Sequence, residues 1–100
     1  MKTYKMTIAG LERELPVFPI NEKMAIAAFI LFGDAEITVA SAAELLKRVP
    51  EFDVILTPEA KSIPLAYEMS RQSGKKYFVC RKGPKLYMKD PVNVEVRSIT

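Results

Sequence analysis

The polar and apolar positions from Thr3 to Ile8 alternate. Tyr4, Met6 and Ile8 fall on one face and Thr3, Lys5 and Thr7 on the other, the period of a half-buried strand. Ala9-Gly10 marks a turn, and Leu11 to Val17 returns as a second strand, which predicts a hairpin. Pro16 and Pro19 cannot donate to a ladder, so they confine this strand to an edge or end it early. Glu22 to Phe32 is mostly apolar and predicts a short buried helix closed by Gly33. A second helix is predicted over Thr38 to Val49 and ends at Pro50. Ser41-Ala-Ala-Glu44 has capping-box form, with Thr38 as the other candidate cap, and Leu45, Leu46 and Val49 supply the apolar stripe.

Asp53 to Thr57 is a short apolar run suited to a buried parallel strand. Ser62 can cap the helix that follows. Pro64 falls in its first turn, where a missing N–H costs nothing, and Gly74 closes it. Leu65, Ala66 and Met69 form its inner face, and Lys76 to Cys80 is the next strand. A strand–helix–strand unit of this kind crosses over right-handed with its strands parallel. Pro91 to Thr100 alternates again, with Val92, Val94 and Val96 opposed to Asn93, Glu95 and Arg97; this predicts an edge strand that pairs with another chain or stays poorly ordered. The pattern describes a single α/β domain: a short parallel sheet flanked by helices, with an N-terminal β-hairpin.

Composition narrows the chemistry. The single cysteine, Cys80, excludes an internal disulfide framework and suits a reducing cytoplasm. With no histidine, Ser-His-Asp and Cys-His catalysis and a structural zinc site fall outside these 100 residues. No apolar tract approaches the ~20 residues of a membrane span, and Met1-Lys-Thr-Tyr-Lys-Met lacks the apolar core of a secretory signal. The net charge of +3 is unevenly spread. Residues 1–60 carry six basic and nine acidic side chains, whereas residues 61–100 carry nine and three. From Arg71 to Lys89 there are seven basic side chains and no acidic one. Such a run is ordinarily a solvated face; beside two strand ends it also fits a phosphate-bearing ligand.

Two polar loops follow the apolar runs Val54-Ile-Leu56 and Tyr77-Phe-Val-Cys80, at the strand edge where open α/β sheets bind ligands. The first, Pro58-Glu-Ala-Lys-Ser62, enters a helix N-terminus, where unpaired N–H groups and the helix dipole favour an anion. Lys61 can add a full charge. Ser62 can offer its hydroxyl or cap the helix. Glu59 can bind a metal that bridges to phosphate, or face solvent. The plain alternative is an ordinary strand-to-helix turn. The second loop, Arg81 to Lys89, surrounds Tyr87 with basic groups and contains Gly83 and Pro84, the composition of a mobile cover for a polyphosphate. A basic surface excursion, or a single-strand nucleic-acid track with only one aromatic, would read similarly.

These two segments, Phe52-Asp-Val-Ile-Leu-Thr-Pro-Glu-Ala-Lys-Ser-Ile-Pro-Leu-Ala66 and Tyr77-Phe-Val-Cys-Arg-Lys-Gly-Pro-Lys-Leu-Tyr-Met-Lys-Asp-Pro91, resemble the amino-terminal half of a type I phosphoribosyltransferase of the adenine/xanthine purine branch. The resemblance covers roughly residues 12–100. It implies a partial phosphoribosyltransferase-like fold and an enzyme of nucleotide salvage, cytoplasmic and commonly a homodimer. Such an enzyme transfers phosphoribosyl from Mg²⁺-bound phosphoribosyl pyrophosphate to a purine base. By the same resemblance Glu59, Ala60, Lys61 and Ser62 receive the pyrophosphate through main-chain N–H groups, joined by Arg81 and Lys82. Lys85, Tyr87 and Lys89 belong to a flap spanning about 83–98, and Val17-Phe18 contacts the base. No catalytic side chain and no protein metal ligand is implied. The family's acidic-acidic, Thr/Gly-rich loop for the ribose 5-phosphate does not occur here, glycine being confined to 10, 33, 74 and 83. The expectation is therefore an amino-terminal fragment, inactive alone. The alternatives are a binding or regulatory protein that senses the same ligand, and a small basic nucleic-acid module.

Overall fold

The computed structural model describes residues 2–85, 87–89 and 91–93. Its elements run β1 (Thr3–Ile8), β2 (Leu11–Pro19), β3 (Ala25–Ala27), α1 (Ala35–Arg48), β4 (Val54–Pro58), α2 (Ile63–Ser73) and β5 (Lys76–Cys80). They form an antiparallel sheet ordered β1-β2-β3 and a separate two-stranded parallel sheet, β4-β5. The mixed α/β class, the N-terminal hairpin and the short parallel sheet agree with the sequence pattern. Residues 94–100, the greater part of the strand expected over Pro91 to Thr100, lie outside the described residues.

The hairpin closes with Ile8 opposite Leu11, so its loop is two residues long. Ala9 (φ 51°) and Gly10 (φ 82°) are both left-handed, the conformation that matches the twist of paired strands. Contrary to the proline argument, β2 is the central strand. β1 pairs with its first part and β3 with its last, and the prolines stand at the ends of these ladders, Pro16 opposite Thr3 and Pro19 opposite Ala25. There the lost donor breaks no run of bonds. Tyr4 and Met6, expected on a half-buried face, are exposed because none of the described elements packs over them.

The helix expected over Glu22 to Phe32 is absent. The Met24 carbonyl accepts from the amides of Ile20 and Asn21, and the Asn21 side chain accepts from the amide of Lys23. This turn folds the chain back so that Ala25–Ala27 pairs with Val17–Pro19. Ile26, Phe29, Ile30 and Phe32 are types that favour extended chain over helix, and a short apolar run carries no decisive period. Gly33 (φ 83°) then closes no helix; it lies in the turn leading into the next one.

α1 is capped by Asp34, one turn ahead of the expected start. The Asp34 carboxylate accepts from the Ile37 amide, the role assigned to Thr38 or Ser41. Ser41 instead lies mid-helix with its Oγ buried and without a partner among the described residues. The stripe Leu45, Leu46 and Val49 continues the face of Ile37, Thr38, Ser41 and Ala42, but Leu45 and Val49 are exposed where the helix runs past its support. Arg13 joins hairpin to helix, donating Nε to Asp34 Oδ2 at 2.8 Å and Nη2 to Asp34 Oδ1 at 3.1 Å and to Glu36 Oε1 at 2.9 Å. The guanidinium, with the Ile37 amide, holds the Asp34 carboxyl below the ordinary aspartate value.

α2 follows the sequence reading closely. Pro64 occupies its first turn, and Gly74 (φ 76°) is its left-handed cap, donating to Ser70 O. Ala66 is buried, and Tyr67 meets Tyr77 edge-on with ring centres 6.3 Å apart, which seats the helix on the parallel sheet. α2 also packs against α1, where Gln72 Nε2 donates to Val39 O and Glu68 is buried against Arg71 and Gln72. On the other face of that sheet Leu56 (67% exposed) and Phe78 (52%) stand in register and uncovered. Parallel sheets are ordinarily covered on both faces. The accessible surface of 8372 Å² accordingly exceeds the about 5,700 Å² of a compact monomer of this mass.

Candidate anion site at two adjacent strand ends

Thr57 is the last inward-facing residue of β4 and is buried. Its hydroxyl lies 2.6 Å from Ser62 Oγ, and both hydroxyls reach Pro58 O. These bonds tie the first loop into a tight return to α2. The Ser62 side chain is thereby occupied and does not cap the helix. The Glu59–Ala60 peptide is cis. Ile63 N donates to Ala60 O, while the amides of Ala60, Lys61 and Ser62 find no acceptor among the described residues. They open, with Lys61, at the positive end of α2.

The parallel register sets Pro58 beside Cys80, so both loops leave from the same edge. Glu59 N donates to Cys80 O at 3.2 Å, and Glu59 Oε1 accepts from Arg81 Nη1 at 3.1 Å. The two loops anticipated from the sequence are thus direct neighbours. Glu59 neither faces solvent nor stands in an acidic cluster; it pairs with Arg81. That carboxylate holds the guanidinium in its charged form, and nearby Tyr87 adds a smaller effect of the same sign.

The basic run divides. Arg71 pairs with Glu68, and Lys75 and Lys76 stand at the amino end of β5, roughly 16 Å or more of strand from Arg81. Lys61, Arg81 and Lys82 remain at the carboxyl edge. In the expected flap, Lys85, Tyr87 and Lys89 are exposed, and Met88 N donates to Lys85 O; Leu86, Asp90 and residues 94–100 lie outside the described residues. Val17 and Phe18 belong to the antiparallel sheet, opposite Ala27 and Ile26, and Phe18 is exposed.

A hollow of about 450 Å³ on the hairpin is lined by Lys5, Met6, Thr7, Glu12, Arg13 and Glu14 and shares no residue with the loops. Two carboxylates border it and Arg13 is committed to Asp34, so it offers an anion little. Among the described residues no group of three or more His, Cys, Asp or Glu could hold a metal, and no helix is long and apolar enough to cross a membrane. Neither the protein-family models nor the curated proteins give a match to this chain.

Proposed function

We propose that this chain carries the pyrophosphate-binding part of a purine phosphoribosyltransferase, and that the two loops receive phosphoribosyl pyrophosphate jointly. The observation that carries the reading is the contact of the loops: Glu59 touches both Cys80 O and Arg81 at the carboxyl edge of a parallel pair. The amides of residues 60–62, unpaired among the described residues, and Lys61 stand on the loop that enters α2, and Lys82 follows Arg81 on the loop beside it; these are the groups an anion would use. Loss of pyrophosphate from a ribose carbon leaves a highly charged leaving group and a cationic sugar, so positioning and electrostatics perform most of the work. The absence of histidine from the sequence is compatible with that chemistry.

Mg²⁺ fits as a companion of the ligand rather than of the chain. Glu59, the one carboxylate in the two loops, is engaged by Arg81, so these residues build no cage of their own. Mg²⁺ ordinarily rides on substrate phosphates and waters. Nothing in the 100 residues supplies the acidic, Thr/Gly-rich cradle for the sugar phosphate, so binding without turnover is expected of this segment.

Calorimetric titration with magnesium pyrophosphate tests the reading. Saturable, Mg²⁺-dependent binding is expected, weakened about tenfold or more in Lys82→Ala, the loss of one charge-assisted contact. Equal affinity in that variant would remove Lys82 from the site. Absence of pyrophosphate binding, with tight, steeply salt-dependent binding of a single-stranded oligonucleotide, would favour the nucleic-acid reading instead.

A further inference from the structure

Arg81 is the strongest anion-binding side chain at this edge, because a guanidinium offers a planar fork of donors. It is already paired. Glu59 Oε1 accepts its Nη1 at 3.1 Å across the two loops, and the side chains are 17% (Glu59) and 36% (Arg81) exposed. The Glu59 main chain is fixed to the neighbouring strand by its bond to Cys80 O, so the carboxylate is built into the edge. Lys61 and Lys82 make no ion pair among the described residues. Two carboxylates thus occupy the basic run by the same device, but Glu68 holds Arg71 on its own helix whereas Glu59 holds Arg81 across the mouth of the proposed site.

We propose that the Glu59–Arg81 pair is a competitive latch that sets the site's preference for diphosphates over single phosphates. The proposal rests on the pyrophosphate reading. An arriving anion must displace Glu59 from Arg81 or suffer its charge at close range. A single phosphate replaces one carboxylate and gains little beyond the bond it breaks. A diphosphate has enough oxygens to take Arg81 while also reaching the loop amides and Lys61 or Lys82. The freed carboxylate swings away from the incoming charge, and the loops lose their cross-link once the ligand replaces it.

The test compares magnesium pyrophosphate and inorganic phosphate on the wild type, Glu59→Gln, Arg81→Gln and the double variant, with circular dichroism as the check of folding. Glu59→Gln is expected to bind pyrophosphate about tenfold tighter, the worth of one charge-assisted competitor. It gains more for phosphate than for pyrophosphate, so the preference narrows; an equal gain for both overturns the assigned selectivity. In the Arg81→Gln background the same change is expected to have no effect, because the latch has lost its other half. Should Glu59→Gln misfold, Glu59→Asp, which withdraws the carboxylate by one methylene, is expected to tighten binding in the same direction. Unchanged or weaker binding on removing Glu59, or an equal gain with and without Arg81, overturns the latch. If Lys82→Ala still weakens pyrophosphate binding in that case, the latch alone has failed. If the wild type binds no pyrophosphate, the site reading has failed and the latch with it.

Discussion

Ile37→Ala is expected to lower the free energy of unfolding by about 2–5 kcal/mol, seen as a fall in the urea midpoint by circular dichroism. Ile37 is 1% exposed and is the largest fully buried side chain among the described residues. It lies in the first turn of α1, beside the Asp34 cap to which Arg13 binds the hairpin. Removing three carbons there leaves a cavity where cap, helix and hairpin meet. The remaining buried apolar side chains among the described residues are Leu15, Leu31, Ala42 and Ala66. A core this small has little to relax into the gap, and the loss is a large share of the 5–15 kcal/mol usual for a domain. A midpoint equal to wild type would mean that α1 does not bury this face.

Ala42→Leu is expected to cost about 1–3 kcal/mol through overpacking, read as a lower thermal midpoint. Ala42 is 0% exposed on α1, and the most buried side chain of the facing helix α2 is also an alanine, Ala66. Small residues on both sides let the helices approach closely, and a leucine has to push them apart. The control is Leu45→Ala, three residues on. Leu45 lies on the same stripe but is exposed, so its truncation is expected to cost clearly less than Ile37→Ala. A large loss for Leu45→Ala with a neutral Ala42→Leu would reverse the assigned contact.

What the sequence revealed was local. The alternation of Thr3 to Ile8, the Ala9-Gly10 turn, the position of Pro64 and the Gly74 cap each fix backbone conformation through the residue itself, and β1, α2 and β5 follow them. The stretch 22–32 has no such marker. Its fate is decided by the Met24 carbonyl and by pairing with Val17–Pro19, contacts that no period encodes. Asp34 before Ala35-Glu36 is a cap signal that the reading of Ser41 and Thr38 passed over. For the site, the two loops and their common edge were legible because strand–helix–strand units have one favoured topology. The pairing of Glu59 with Arg81 was not, since a contact 22 residues apart depends on strand register. Val17 sits in the hairpin strand read for it, with Phe18 beside it, in a sheet separate from β4-β5.

The uncovered faces follow from the same arrangement. Leu56 and Phe78 are apolar because parallel strands expect cover on both sides, and among the described elements α2 covers one side only.

The central claim is that two adjacent strand-end loops grip one diphosphate. Backbone amide NMR during titration with magnesium pyrophosphate addresses it most directly. The account predicts that the amides of Ala60, Lys61 and Ser62 and those of Arg81 and Lys82 shift together, along one saturation curve. Shifts confined to a single loop, or movement of the hairpin hollow around Arg13 instead, would contradict it.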